Sequence, residues 1–232
     1  MSKLTRNRKA VLNKIEIGKI YSIQEASVLI KQITITKFDS SVDIDVCLGI
    51  DTRKSNQIVR GVVSLPYGTG REIKILALVT SDNETVAKDA GADYVGLDEY
   101  IEKIKNGWTD IDVIVTQPSI MGRIGILGKI LGPKGLMPNP KVGTVTNDVG
   151  IAVEELKKGK IEFKADKAGV IHASIGRVSF TSEQICDNVK EFVTSLIKVK
   201  PSASKGPYIK NIYLSSTMSP SLNIDFRSID EN

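Results

Sequence analysis

The chain has one histidine in 232 residues, His172, and two cysteines, Cys47 and Cys186. A Ser-His-Asp or Cys-His arrangement would have to be built on His172, and there is no second imidazole to make a metal pair. The cysteines lie far apart in the chain. They suggest neither a disulfide framework nor a zinc knuckle, and they suit a reducing cytoplasm. No G-x-x-x-x-G-K-[ST] loop occurs, and no G-x-G-x-x-G follows the apolar run at 73–79, so a dinucleotide reading lacks its phosphate loop. No apolar run approaches the ~20 residues that span a bilayer. The basic N-terminal MSKLTRNRK leads into no apolar h-region, so no secretory signal is expected. The expectation is a non-enzyme with no metal, no cofactor and no membrane segment.

A further absence is local. No Asp or Glu occurs from Val113 to Asn147, although acids are frequent elsewhere. Within that window, Met121–Lys141 reads MGRIGILGKILGPKGLMPNPK, with five glycines, three prolines and the four cations Arg123, Lys129, Lys134 and Lys141. Pro lacks the amide donor and Gly is entropically costly in a helix, so no long regular helix is expected. Ile124, Ile126, Leu127, Ile130, Leu131, Leu136 and Met137 are too many apolar residues for a solvated linker. The stretch reads as a folded, backbone-rich surface with cations projecting from it, a form that suits a polyanion.

What is present is ordinary for a soluble globular protein: 41% hydrophobic and 25% charged residues, with a net charge of +5 and a pI near 9.0. The charge is unevenly placed. Residues 1–67 carry 11 Lys/Arg against 6 Asp/Glu, residues 160–232 carry 10 against 8, and residues 68–159 carry 11 against 13. The two ends are basic and the middle is mildly acidic, so a domain made from the ends is the better polyanion binder.

In chain order, residues 3–20 are helix-compatible. Ser22 with Glu25 forms a capping box for a helix through Ala26, Leu29 and Ile30 that ends near Thr34. Ser41–Ile50 alternates as a half-buried strand, and Ile58–Leu65 is a second strand. Pro66–Gly70 breaks the pattern and marks a boundary. Beyond it, the apolar strand 73–79, a helix at 85–90, a short strand at Tyr94-Val95, a helix at 98–105 and the strand 111–116 alternate as in a small doubly wound unit. A helix capped at Thr146 or Asn147 closes that unit at Gly159. A hairpin of 161–165 with 170–178 follows. An amphipathic helix capped at Thr181 or Ser182 then carries Ile185, Val189, Phe192, Val193, Leu196 and Ile197 on one face. Strands at 207–214 and 222–226 flank a loop at 215–221. Neither flank is large enough for its own core. The expected organisation is a discontinuous α+β domain, 1–67 plus 160–232, with a doubly wound, Rossmann-like α/β domain at 68–159 inserted and hinged at the two crossings.

Two short segments are candidate RNA contacts. Lys37-Phe38-Asp39 sets an aromatic beside a cation, so Phe38 can stack on a base while Lys37 meets phosphate; for a lone Phe, core packing is the commoner fate. Ser216-Thr217-Met218-Ser219-Pro220 offers hydroxyls and an apolar tip suited to 2′-hydroxyls and bases, though by itself it is an ordinary turn. His172 sits on a strand and faces opposite to Ile171 and Ala173.

The order G-x-x-G-x-L-G-x-x-L-G-P-x-G-L-M-P-x-P in the Gly/Pro stretch resembles the signature of the ribosomal protein L-one family, the stalk proteins of the large ribosomal subunit. KFDSSVDIDVCLGIDTRKSNQIVRGVVSLPYGTG at 37–70, ADKAGVIHASIGRVSF at 165–180 and the SSTMSP loop are similar to other parts of that family, and the likeness runs from about residue 5 to residue 226. Two positions depart from it: Ser219 stands where the family usually has Gly, and Ser40 where an acid is common. The resemblance implies the two-domain form with its insert and binding to large-subunit ribosomal RNA at the mobile stalk. It also implies help in releasing deacylated tRNA from the exit site and repression of the protein's own operon messenger. The protein would be a monomer when free and otherwise part of the cytoplasmic ribosome. On this reading Thr217, Met218 and Ser219 read RNA shape and 2′-hydroxyls, Lys37 and Lys167 neutralise phosphate, Phe38 stacks or packs, and His172 donates a hydrogen bond. Arg123, Lys129, Lys134 and Lys141 are further candidates for RNA or tRNA contact. Two other classes stay open: a nucleotide-binding enzyme built on the middle domain, and a purely protein-binding module.

Overall fold

A computed structural model describes residues 5–16, 18–202, 204 and 206–225. In chain order the first elements are α1 (Arg6–Leu12), β1 (Ile20–Tyr21), α2 (Ile23–Ile33), β2 (Ser41–Leu48) and β3 (Arg60–Ser64). The middle of the chain forms β4 (Ile75–Leu78), α3 (Glu84–Asp89), β5 (Tyr94–Val95), α4 (Asp98–Lys105) and β6 (Val113–Thr116), then α5 (Met121–Ile124), α6 (Gly128–Leu131) and α7 (Val149–Lys157). The last elements are β7 (Lys160–Lys164), β8 (Val170–Arg177), α8 (Ser182–Lys198), β9 (Ile209–Ser216) and β10 (Leu222–Ile224). The described residues form a mixed α/β structure of two compact units. One holds the chain up to Gly70 and again from Ile161, and the other is Arg71–Lys160.

The first unit is built on a five-stranded sheet of order β1-β10-β9-β2-β8. β2 is central because its alternation is complete: Val42, Ile44, Val46 and Leu48 are buried, and the residues between them are not. Its apolar face packs against α2 and α8. Both helices start as their sequences dictate. Ser22 and Glu25 form a reciprocal capping box, and Thr181 and Gln184 form another; each satisfies two otherwise orphaned amides. The helices meet where the Cys186 thiol donates to Ser27 Oγ at 3.2 Å. The buried Asn188 of α8 donates to the carbonyls of Ile175 at 2.7 Å and Gly68 at 3.1 Å, which ties the end of the 66–70 turn to the core.

Several expectations need correction. The helix-compatible 3–20 span is helical only at Arg6–Leu12, and Ile20–Tyr21 is a strand paired in parallel with β10; residues 1–4 and 17 lie outside the described residues. The 161–165/170–178 hairpin does not form as a ladder. β7 pairs with β3 in a separate two-stranded sheet, β8 pairs with β2, and the bridge Ala165–Ile171 links the two segments. The reason is local: Asp166 Oδ1 accepts the amides of Ala168 and Val170 at 2.9 and 2.8 Å, a tight Asx-type turn that redirects the chain. Ile197 is 41% exposed and stands off the buried face of α8. β9 continues through Ser216, so the loop begins at Thr217. β10 ends at Ile224, and Phe226 lies outside the described residues.

The second unit has a parallel sheet of order β5-β4-β6. β4 is buried on both faces. Ile75, Ala77 and Val79 pack with residues of α3 and α7, and Leu76 and Leu78 pack with those of α4, α5 and α6. α7 begins at Val149 with Asp148 at its N-cap, one or two residues after the expected cap; Thr146 Oγ1 instead accepts the Asp148 amide at 3.1 Å. The Gly/Pro stretch starts as a succession of short turns: a 3-10 turn at Pro118–Ile120, α5, a 3-10 turn at Gly125–Leu127, and α6. Ile124, Leu127 and Leu131 anchor these turns in the core.

Candidate nucleic-acid interface

The outer face of the five-stranded sheet is polar. Along β2 its rows are set by register. Asp43 lies between Ser174 of β8 and Ser215 of β9, Asp45 between His172 and Tyr213, and Cys47 between Val170 and Asn211. At the start of the strand, Ser41 pairs with Arg177 on one side and meets Thr217 on the other, their hydroxyls 3.2 Å apart.

The Thr217–Pro220 segment is a closed turn. The Ser219 amide donates to the Ser216 carbonyl at 2.9 Å. Ser219 Oγ accepts the Ser216 amide at 2.8 Å and donates to the Pro220 carbonyl at 3.2 Å. Ser216 Oγ meets Thr34 Oγ1 at 2.7 Å, which fixes the turn to the end of α2. Met218 stands at φ 67°, the left-handed region, and its side chain is 80% exposed. The strained position therefore falls on Met218, and Ser219 needs no unusual backbone. The Ser219 hydroxyl is spent inside the turn.

Phe38 is 61% exposed, so the core alternative is wrong. Asp39 explains why. Its carboxylate accepts the Ser179 amide at 3.0 Å and the Ser179 hydroxyl at 2.9 Å, while Arg177 donates to its carbonyl at 2.9 Å. The segment is clamped at Asp39, and Lys37 and Phe38 stay outside. Ser40 is buried and takes a hydrogen bond from Thr36 Oγ1 at 3.1 Å, so a neutral hydroxyl fills this site. The segments carrying Lys37-Phe38 and Thr217-Met218-Ser219 thus flank the same end of β2.

Lys167 and His172 are not at that end. Lys167 lies in the turn before Gly169, whose carbonyl accepts the Leu48 amide at 2.9 Å. At about 3.4 Å per residue, that turn is roughly 24 Å along the strand from Ser41. His172 lies between the two ends and is exposed. Its Nδ1 is 2.6 Å from Asp45 Oδ1, and its Nε2 is 3.9 Å from Asp166 Oδ2. Asp166 is held below the usual carboxylate range, chiefly by the Val170 amide. Burial pushes Asp43 above that range, against the pull of hydrogen bonds from Ser174 and Ser41.

In the second unit, Arg123 pairs with Asp98, and Lys134 Nζ donates to Thr109 Oγ1. Lys129 and Lys141 are exposed. A Cβ at Gly122, Gly125 or Gly128 would meet nothing within 4 Å, so these glycines leave bare backbone on the surface beside Ile126, which is 72% exposed. Among the described residues no group of three or more His, Cys, Asp or Glu is placed to hold a metal ion. No described helix is long and apolar enough to cross a membrane.

Ser41, Arg177 and Tyr213 were not among the residues singled out in sequence. The alternation of β2 and β8 exposes Ser41 and Arg177, but their neighbourhood depends on pairing between distant strands.

The outer sheet face is polar, with an aromatic ring and a thioether held out at one end. Residues 29–220 match the Ribosomal protein L1p/L10e family, and the chain belongs to that family, one of ribosomal proteins and not of enzymes. The chain is 67% identical over 232 residues to the large ribosomal subunit protein uL1 of Parabacteroides distasonis, with 100% of each chain covered. It is 66% identical over 230 residues to that of Azobacteroides pseudotrichonymphae, with 99% of each covered. To that of Bacteroides fragilis it is 66% identical over 231 residues, with 100% of each covered.

Proposed function

We propose that the chain is a structural protein of the large ribosomal subunit that binds ribosomal RNA at the mobile stalk. It works in the cytoplasmic ribosome, assists release of deacylated tRNA from the exit site, and represses its own operon by binding the messenger. The RNA-binding domain is the composite one, 1–67 with 160–232, and the inserted domain at 68–159 offers Arg123, Lys129, Lys134 and Lys141 to RNA or passing tRNA. The observation that carries the reading is the Thr217–Ser219 turn, which holds Met218 80% exposed in a left-handed conformation. A non-glycine residue held in left-handed strain with its side chain outward supports a contact made at that position. Thr217 and Ser41 hydroxyls stand beside it for 2′-hydroxyls and bases, and Phe38 for stacking.

The test is binding to a stalk ribosomal RNA fragment at several salt concentrations, against an unrelated hairpin. Tight, specific binding with a shallow salt slope supports recognition of shape and 2′-hydroxyls. Thr217→Ala or Met218→Ala should weaken it at least fivefold. Binding of both variants at the parent's strength removes the site from this turn, and no binding by the parent removes the function.

A further inference from the structure

At the opposite end of β2 from Met218, the loop 51–58 and the turn 165–167 enclose an open cleft of about 460 Å³, lined by Thr52, Ile58, Lys164, Ala165, Asp166 and Lys167. The cleft is braced. Thr52 Oγ1 donates to the Lys167 carbonyl at 2.7 Å, and the Asp51 amide donates to Gln57 Oε1 at 2.7 Å. Its apolar wall is Ile58, 50% exposed, with Ala165 beside it. Its rim is cationic. Among the described residues neither Lys164 nor Lys167 forms an ion pair, and Arg53 and Lys54 stand on the same loop. Of the two carboxylates here, Asp51 is 4.0 Å from Lys54. Asp166 accepts the amides of Ala168 and Val170 and lies near His172.

The size falls within the roughly 300–1,000 Å³ of small-ligand clefts. An apolar wall beside two lysines has the chemistry of one nucleotide: a base against Ile58 and Ala165, its phosphates against Lys164 and Lys167. The row Asp43–Asp45 between the two ends repels phosphate, so a strand crossing this face is held at the ends rather than along the middle. Resting on the RNA-binding reading above, we propose that this cleft receives one unstacked nucleotide of the bound RNA, some 24 Å along β2 from the Thr217–Met218 contact at roughly 3.4 Å per residue. RNA recognition commonly splays single-stranded bases into such sites, where contact with the base is insensitive to salt and contact with the phosphate is not.

The experiment uses the full chain and the same stalk RNA fragment, with Ile58→Asp and a Lys164→Gln/Lys167→Gln double variant. Both sites are on the surface, so folding should be kept, and circular dichroism checks it. The double variant should weaken binding about tenfold at physiological salt and lower the log–log salt slope by about 1.4, two single-strand phosphate contacts. Ile58→Asp should weaken binding at high salt as well as low. It should also release one nucleotide from the protection against 2′-hydroxyl acylation that the parent gives, leaving the rest of the footprint. If the parent binds specifically and both variants match it in affinity, slope and footprint, the cleft is not a nucleotide site and the function stands. If Ile58→Asp unfolds, Ile58→Ser takes its place and is read by the same single-nucleotide footprint, because Lys167 meets phosphate on the wider reading as well. If the parent does not bind, the function itself has failed.

Discussion

Ser219 Oγ accepts a hydrogen bond from the backbone amide of Ser216 at 2.8 Å and donates one to the Pro220 carbonyl at 3.2 Å. The Ser219 side chain therefore closes the turn from inside. Ser219→Ala leaves the amide of the buried Ser216 without this acceptor, which costs about 1 kcal/mol, or a fall in Tm of about 2–4 °C for a chain of this size. Ser219→Gly should cost somewhat more, through the freedom it adds to the unfolded chain. RNA affinity should change less than threefold in either, since the hydroxyl faces inward. A larger loss in Ser219→Ala at intact stability would mean that this hydroxyl serves the RNA.

Met218 makes the opposite prediction. Its φ of 67° costs a non-glycine residue about 1 kcal/mol, and its 80% exposure returns little by burial. Met218→Gly relieves the strain and adds unfolded-state entropy, so stability should be unchanged or rise by up to about 1 kcal/mol. RNA binding should fall at least fivefold. Thermal melting and a binding titration on one preparation test both halves, and a variant both less stable and equally good at binding would contradict the assignment.

Signals carried by adjacent residues were readable in the chain. Ser22/Glu25 and Thr181 announce their helices because a capping box is complete within four residues. Strand β2 is announced by its own alternation. What escaped depends on residues far apart. β1 is two residues long and exists because β10, from the other end of the chain, pairs with it. The expected hairpin failed because Asp166 turns β7 away to β3. Phe38 reads more readily as core than as surface until Asp39 is seen clamped to Ser179, 140 positions on. The candidate RNA residues suffered the same limit: the chain names Lys167 and Thr217 together, and the sheet sets them at opposite ends of one strand.

Gly61 meets the ring of Phe163. A Cβ there would stand 2.7 Å from Phe163 Cζ. That ring is buried and backed by Phe192 at 5.5 Å between centroids. Gly61→Ala should therefore destabilise by about 1–3 kcal/mol as an overpacked core. Phe163→Leu alone creates space and should cost about 1 kcal/mol. The two together should cost less than their sum, because each relieves the other. Additive costs in denaturant unfolding would show that the glycine is not held by this ring.

Asp43 gives the outer face of the five-stranded sheet a pH-dependent contribution to stability. Burial raises its pKa above the usual carboxylate value, against hydrogen bonds from Ser174 and Ser41. For an acid raised in this way, the folded state keeps its proton longer than the unfolded state. Stability falls as pH rises from about 4 through the folded pKa, and the loss persists above it. Asp43→Asn removes that ionisation, so its Tm should exceed the parent's at pH 7, and the difference should shrink as pH is lowered below about 4, where both chains are neutral at this site. Asp166 works the other way. Its depressed pKa gives stability that is present above about pH 4 and lost as pH falls through the folded value, so Asp166→Asn should flatten the acid limb of the parent's curve. Melting curves of the three proteins between pH 3 and pH 8 separate the two effects. An Asp43→Asn protein that melts below the parent at pH 7 would mean that its hydrogen bonds to Ser174 and Ser41 outweigh the cost of burying the charge.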